Sequence, residues 1–176
     1  MKSSRRFFCS LIALLCFATV SPANAVDSKT KVYILGGIFN IAAGVRVLAT
    51  KLNQLGIAAT VYESDDYDSV GEVIVRDYQS KKVRRVVVVG YSAGAGAAVL
   101  MAEKLGEIPL PIDLLITLDP VAEFTVPKNV KRALNFHVGK SLIIGADNVK
   151  VDPPGFGHFS IQYSESLHER IIGLIK

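Results

Sequence analysis

From Lys31 onward the chain alternates two hydrophobic patterns. Short, nearly unbroken apolar runs recur at 32–35, 58–62, 86–89, 114–118, 133–138 and 142–144. Such runs are what parallel strands covered on both faces require, because neither side of the strand meets water. Between them the apolar residues fall at helical intervals. Ile41, Val45, Leu48, Leu52 and Leu55 are spaced by three and four ahead of Gly56, which predicts an amphipathic helix over 41–55. Further helices are predicted over 67–79, over 93–105 before Gly106, and over 161–175, the last with Leu167, Ile171 and Leu174 turned inward. No linker or repeat interrupts the alternation. It predicts a single α/β domain over 26–176, with three layers and a mostly parallel central sheet of about six strands carrying helices on both faces.

The first 25 residues follow a different rule. Lys2, Arg5 and Arg6 precede an uncharged apolar stretch over 7–20, and Ala23-Asn24-Ala25 follows, the arrangement of a secretory signal peptide cleaved after Ala25. The apolar stretch is shorter than the roughly 20 residues a transmembrane helix needs, so no integral membrane anchor is expected after removal. Ser4-Arg5-Arg6-Phe7-Phe8 also fits the start of a twin-arginine signal, while the strongly apolar core favours the ordinary secretory route. Either way the expected location is exported, periplasmic or secreted.

Export changes the charge balance. The leader holds three of the 20 basic residues and none of the 16 acidic ones, which leaves 17 against 16 and a net charge of +1. A nucleic-acid partner is therefore not expected, and no basic stripe interleaved with aromatics remains. Cys9 and Cys16 both lie in the leader, so the mature chain has no cysteine nucleophile and no cysteine-ligated metal. Glu63, Asp65, Asp66 and Asp68 lack the glycine and terminal glutamate of a calcium loop and read as a solvated acidic turn.

The chemistry begins where the run over 86–89 ends in Gly90-Tyr91-Ser92-Ala93-Gly94 and opens into an alanine-rich helix. Gly-x-Ser-x-Gly between a strand and a helix is a nucleophile elbow, a sharp turn that lifts the serine hydroxyl above the sheet. A serine needs a base, usually histidine, and the base needs a carboxylate to orient it. Of three histidines, His137 lies within an apolar run and His168 on the terminal helix among solvated residues. His158 lies in a proline- and glycine-rich loop after the last apolar run, where catalytic groups of open α/β sheets collect, and is the favoured base. Asp119, directly after the run over 114–118, is the favoured acid, with Asp147 after 142–146 as the alternative. Oxyanion donors are expected from the Ala93 amide and, in the Gly36-Gly37-Ile38 turn, from the Ile38 amide, with Gly37 next in line. Neither nucleotide-binding glycine fingerprint is completed around Gly36 or Gly94.

With its elbow and the chain order Ser92, Asp119, His158, the sequence resembles the α/β-hydrolase superfamily, in particular its small lidless lipase, esterase and thioesterase-like members, over essentially the whole mature length. Gly36 stands where that family's His-Gly-x oxyanion turn has histidine. The resemblance implies a serine hydrolase acting on a small-molecule ester, thioester or other acyl substrate through an acyl-enzyme, with no metal or organic cofactor. Ile38, Phe39, Tyr91, Phe124 and Phe156 are the candidate apolar surroundings of the site. The alternative is a non-catalytic binding or envelope-interaction protein that keeps the hydrolase scaffold.

Overall fold

The computed structural model describes residues 29–152, 155 and 157–176. The leader, Pro153, Pro154 and Phe156 lie outside the described residues. In chain order the elements are β1 (Thr30–Leu35), α1 (Ala43–Gln54), β2 (Ala58–Tyr62), α2 (Tyr67–Gln79), β3 (Arg85–Tyr91), α3 (Ala93–Leu105), β4 (Leu114–Leu118), β5 (Phe124–Thr125), β6 (Ala133–His137), β7 (Ile143–Ile144), β8 (Asp147–Lys150) and α4 (Glu165–Ile175). Six strands form one sheet in the order β2-β1-β3-β4-β6-β8, every neighbouring pair parallel.

Strand alternation sorts the apolar residues into two cores. Val32, Ile34, Val87, Val89, Ile116 and Phe136 face α1 and α4, while Tyr33, Leu35, Val86, Val88 and Leu115 face α2 and α3. Burying each such side chain contributes about 1.5–3 kcal/mol against the entropy of ordering it. The three-layer architecture expected from the unbroken apolar runs is therefore present. Its strand order reverses between β1 and β3, which opens a crevice above their carboxyl ends.

Three elements differ from the sequence expectation. The apolar run over 142–144 does not enter the main sheet; β7 instead pairs with β5 in a separate two-stranded ribbon. The sixth sheet strand is the polar β8, which pairs with β6 at the sheet edge, where one side needs no apolar cover. The terminal helix is shorter than 161–175. A 3-10 turn at Ile161–Tyr163 comes first, and α4 starts after Ser164, an N-cap residue type.

Side-chain hydrogen bonds tie the edge, beside the contact of Val149 with the core. Thr117 Oγ1 donates to Asn135 Oδ1 at 2.8 Å, Asn135 Nδ2 donates to Asn148 Oδ1 at 2.8 Å and to the Ser141 carbonyl at 3.1 Å. Asn148 in turn ties the β7–β8 turn through the Ile143 and Ala146 carbonyls. Asn135 is fully buried. Asn135→Ala leaves its partners without their hydrogen bonds and is expected to cost about 3 kcal/mol, read as a lower urea midpoint with unchanged slope.

Candidate functional site

Ser92 follows β3 with φ 57° and ψ −122°, a left-handed conformation that a non-glycine residue adopts only where its surroundings enforce it. The enforcement is backbone against backbone. A Cβ on Gly90 would come 2.6 Å from Ala95 Cα, and one on Gly94 would come 2.6 Å from the Leu35 carbonyl carbon. Both motif glycines are thus demanded by close approach, and the Ser92 amide is anchored to the Leu118 carbonyl at 2.9 Å.

The other polar groups converge on this turn. Ser92 Oγ lies 2.9 Å from His158 Nε2, and His158 Nδ1 lies 2.6 Å from Asp119 Oδ2. Asp119 Oδ1 accepts the Val138 amide at 2.9 Å and the Gly139 amide at 3.2 Å, so both carboxylate oxygens are committed. Asp119 is only 5% exposed and Ser92 7%, whereas the His158 side chain is 32% exposed, at the boundary between the sheet and solvent. A carboxylate that accepts the Nδ1 proton leaves Nε2 as the acceptor for the serine hydroxyl.

Asp147, the alternative acid, is not the carboxylate brought to His158. It opens β8 in register with Leu134 and, through it, with Ile116, three residues short of Asp119, and the His158 Nδ1 contact is made by Asp119. His137 is buried with Nδ1 2.9 Å from the Gly139 carbonyl oxygen, in keeping with a structural histidine. His168 corrects the expectation of a solvated position. It is 1% exposed, and its Nε2 donates to the Gln162 carbonyl at 2.7 Å.

Burial holds the His168 imidazole below the ordinary histidine value, and the Lys51 charge adds to this, while the Gln162 carbonyl and Glu165 oppose it. Among the described residues its buried Nδ1 has no hydrogen-bond partner, so a second proton there would find no acceptor among them. Protonation is therefore favoured in the unfolded chain. Stability contributed by neutral His168 is complete above about pH 6.5 and is lost as pH falls from there toward the depressed folded value. Urea midpoints measured between about pH 7 and pH 5 should fall, and His168→Gln should flatten that slope.

The turn after β1 lies against the serine. A Cβ on Gly37 would sit 3.5 Å from Ser92 Cβ, and the Gly37 amide is already spent on the Ile41 carbonyl at 3.1 Å, which removes Gly37 as an oxyanion donor. Ile38 and Ala93 each open a helical turn, Ile38 a 3-10 turn at Ile38–Asn40, and first-turn amides have no intrahelical acceptor. Gly36 has a steric reason to lack a side chain, since a Cβ there would meet Ala42 Cβ at 2.7 Å. Phe39, at φ 53° and 90% exposed, and the exposed Ile38 stand beside this turn. Phe124 instead packs on α3, where a Cβ on Gly96 would reach its ring, and Phe156 lies outside the described residues.

In the acidic stretch before and into α2, Glu63 pairs with Arg46 at 3.2 Å and Asp68 with Lys104. A groove of about 760 Å³ lined by Val75, Tyr78, Lys81, Val83, Arg84 and Leu110 opens by the starts of β3 and β4, away from Ser92. The convergence of polar groups, not groove size, marks the site. Among the described residues no helix is long and apolar enough to cross a membrane.

By sequence, no protein-family model and no curated protein matches this chain. By structure, it is similar to a Xanthomonas campestris pv. campestris protein assigned to the hydrolases of the alpha/beta superfamily, with a TM-score of 0.59 over 83% of this chain and 98% of that one. The fold is that of the α/β hydrolases. At 16% identity the two chains share architecture rather than detail. In this chain the elbow after β3 and the loops after β4 and β8 bring Ser92, Asp119 and His158 together, and the turn after β1 lies against Ser92.

Proposed function

We propose that this chain is an exported serine hydrolase that cleaves carboxylic esters or thioesters through an acyl-enzyme. The observation that carries the reading is the continuous line of hydrogen bonds from Ser92 Oγ to His158 Nε2 at 2.9 Å and from His158 Nδ1 to Asp119 Oδ2 at 2.6 Å. In this reading Ser92 Oγ attacks the acyl carbon as His158 Nε2 takes its proton, and Asp119 stabilises the imidazolium that results. The Ala93 and Ile38 amides donate to the oxyanion, a contribution of roughly 3–4 kcal/mol per donor. Collapse of the tetrahedral species breaks the bond to the alcohol or thiol, which leaves with the proton from Nε2. Water then repeats the sequence on the Ser92 ester and releases the acid.

The fold and its α/β-hydrolase neighbour support hydrolase chemistry in general, and the oriented serine favours acyl transfer within that class. Export, to the periplasm or beyond the cell, rests on the leader over 1–25. The test is a panel of p-nitrophenyl esters and acyl thioesters offered to folded protein beginning at Val26. Turnover of one class or both is expected. A folded protein inert toward the whole panel overturns the reading and returns weight to the non-catalytic alternative.

A further inference from the structure

The base sits on no regular element. His158 lies in a 3-10 turn, Gly157–Phe159, and although Asp119 holds its Nδ1, a main chain free to shift would carry the ring by more than the few tenths of an ångström that proton transfer tolerates. Beside the contacts of Asp119 and Ser92 to its ring, a residue of the sheet reaches the main chain of that loop. Tyr91, the last residue of β3 and the immediate neighbour of Ser92, is 1% exposed, and its hydroxyl donates to the His158 carbonyl oxygen at 3.1 Å. Its ring also lies against the imidazole, centroids 5.6 Å apart at 27°. The strand that presents the nucleophile therefore also holds the main chain and one face of the base.

We propose that Tyr91 is a positioning residue that sets the reach of His158 to Ser92 through its hydroxyl. This rests on the serine hydrolase reading. The phenol acts on the peptide carbonyl and not on the reacting atoms, so its loss moves the base without removing it. Burial, and then the Asp119 charge, push the Tyr91 hydroxyl up to about 12, which keeps it a donor throughout the working range. The neighbouring exposed Tyr163 adds in the same direction, and the Gln162 side chain opposes them.

Two substitutions separate the hydroxyl from the ring. Tyr91→Phe keeps the ring and its stacking, and is expected to lower kcat about 10- to 100-fold with KM within about twofold. A low-field proton resonance is expected for His158 Nδ1–H in the parent protein, and it should broaden in the variant as the ring gains freedom. Replacing Tyr91 with 3,5-difluorotyrosine keeps the shape but ionises at lower pH, so kcat should gain an alkaline limb that the parent lacks. This second form answers the question even where Tyr91→Phe does not fold.

A folded Tyr91→Phe protein with parental kcat and an unchanged resonance overturns the proposal. So does a fluorinated enzyme without the new limb. If the parent itself turns over no ester, the hydrolase reading fails separately, and the resonance comparison alone then decides whether Tyr91 positions His158.

Discussion

Ser92→Ala is expected to abolish ester and thioester turnover, by roughly 10⁴- to 10⁶-fold in kcat, while leaving the fold in place. The size follows from the role. Without Oγ there is no acyl-enzyme, and the Ala93 and Ile38 amides can at most polarise a carbonyl awaiting an unpositioned water. Folding should survive because the strain at φ 57° belongs to the backbone, which the contacts at Gly90 and Gly94 impose whatever the side chain is. The measurement is kcat for the best substrate of the panel beside a thermal melt. A variant that melts like the parent and turns over substrate at more than a hundredth of its rate would place the nucleophile elsewhere.

Asp119→Asn is expected to lower kcat by roughly 10⁴-fold, again without unfolding. The asparagine keeps an oxygen for the Val138 and Gly139 amides, and its side chain tolerates the φ of 46° seen at this position. What changes is the group facing His158. An amide NH₂ opposite Nδ1 turns the imidazole to the tautomer that carries its proton on Nε2, and the serine then faces a donor instead of an acceptor. Asp119→Ala is the less informative variant because it also leaves two backbone amides unmatched. Asp147→Asn, at the start of β8, should keep parental kcat, and a loss there equal to that of Asp119→Asn would contradict the assignment.

Much of this arrangement is written locally. The β-branched run before Gly90 and the small residues after Ser92 describe a strand, a turn and a helix within twenty residues, and each feature has a local physical cause. Asp119 was legible because a parallel strand that ends in Asp-Pro must end there. His158 was legible from its loop, although only the fold brings that loop over β3.

What could not be read depends on partners distant in sequence. β8 has no apolar run; it pairs with the distant β6, where Asn148 bonds Asn135 and Val149 packs against the core. The apolar doublet of β7 found Phe124 and Thr125 instead of the main sheet. His168 carried a usable signal that its charged neighbours Glu169 and Arg170 hid, for it precedes the buried Ile171 by three residues and the buried Ile175 by seven. The role of Tyr91 left no trace, because nothing in a Gly-x-Ser-x-Gly motif says that the first variable side chain will meet a carbonyl 67 residues later. Gly36 does have a sequence reading after the fact. A small residue there goes with Ala42 crossing above it.

The most direct test of the central claim is covalent labelling of folded protein beginning at Val26 with a fluorophosphonate, followed by peptide mass analysis. The account predicts a single modified residue, Ser92, at a rate that falls to background in His158→Ala. Unmodified Ser92 in protein shown to be folded, or labelling that persists in His158→Ala at the parental rate, would contradict it.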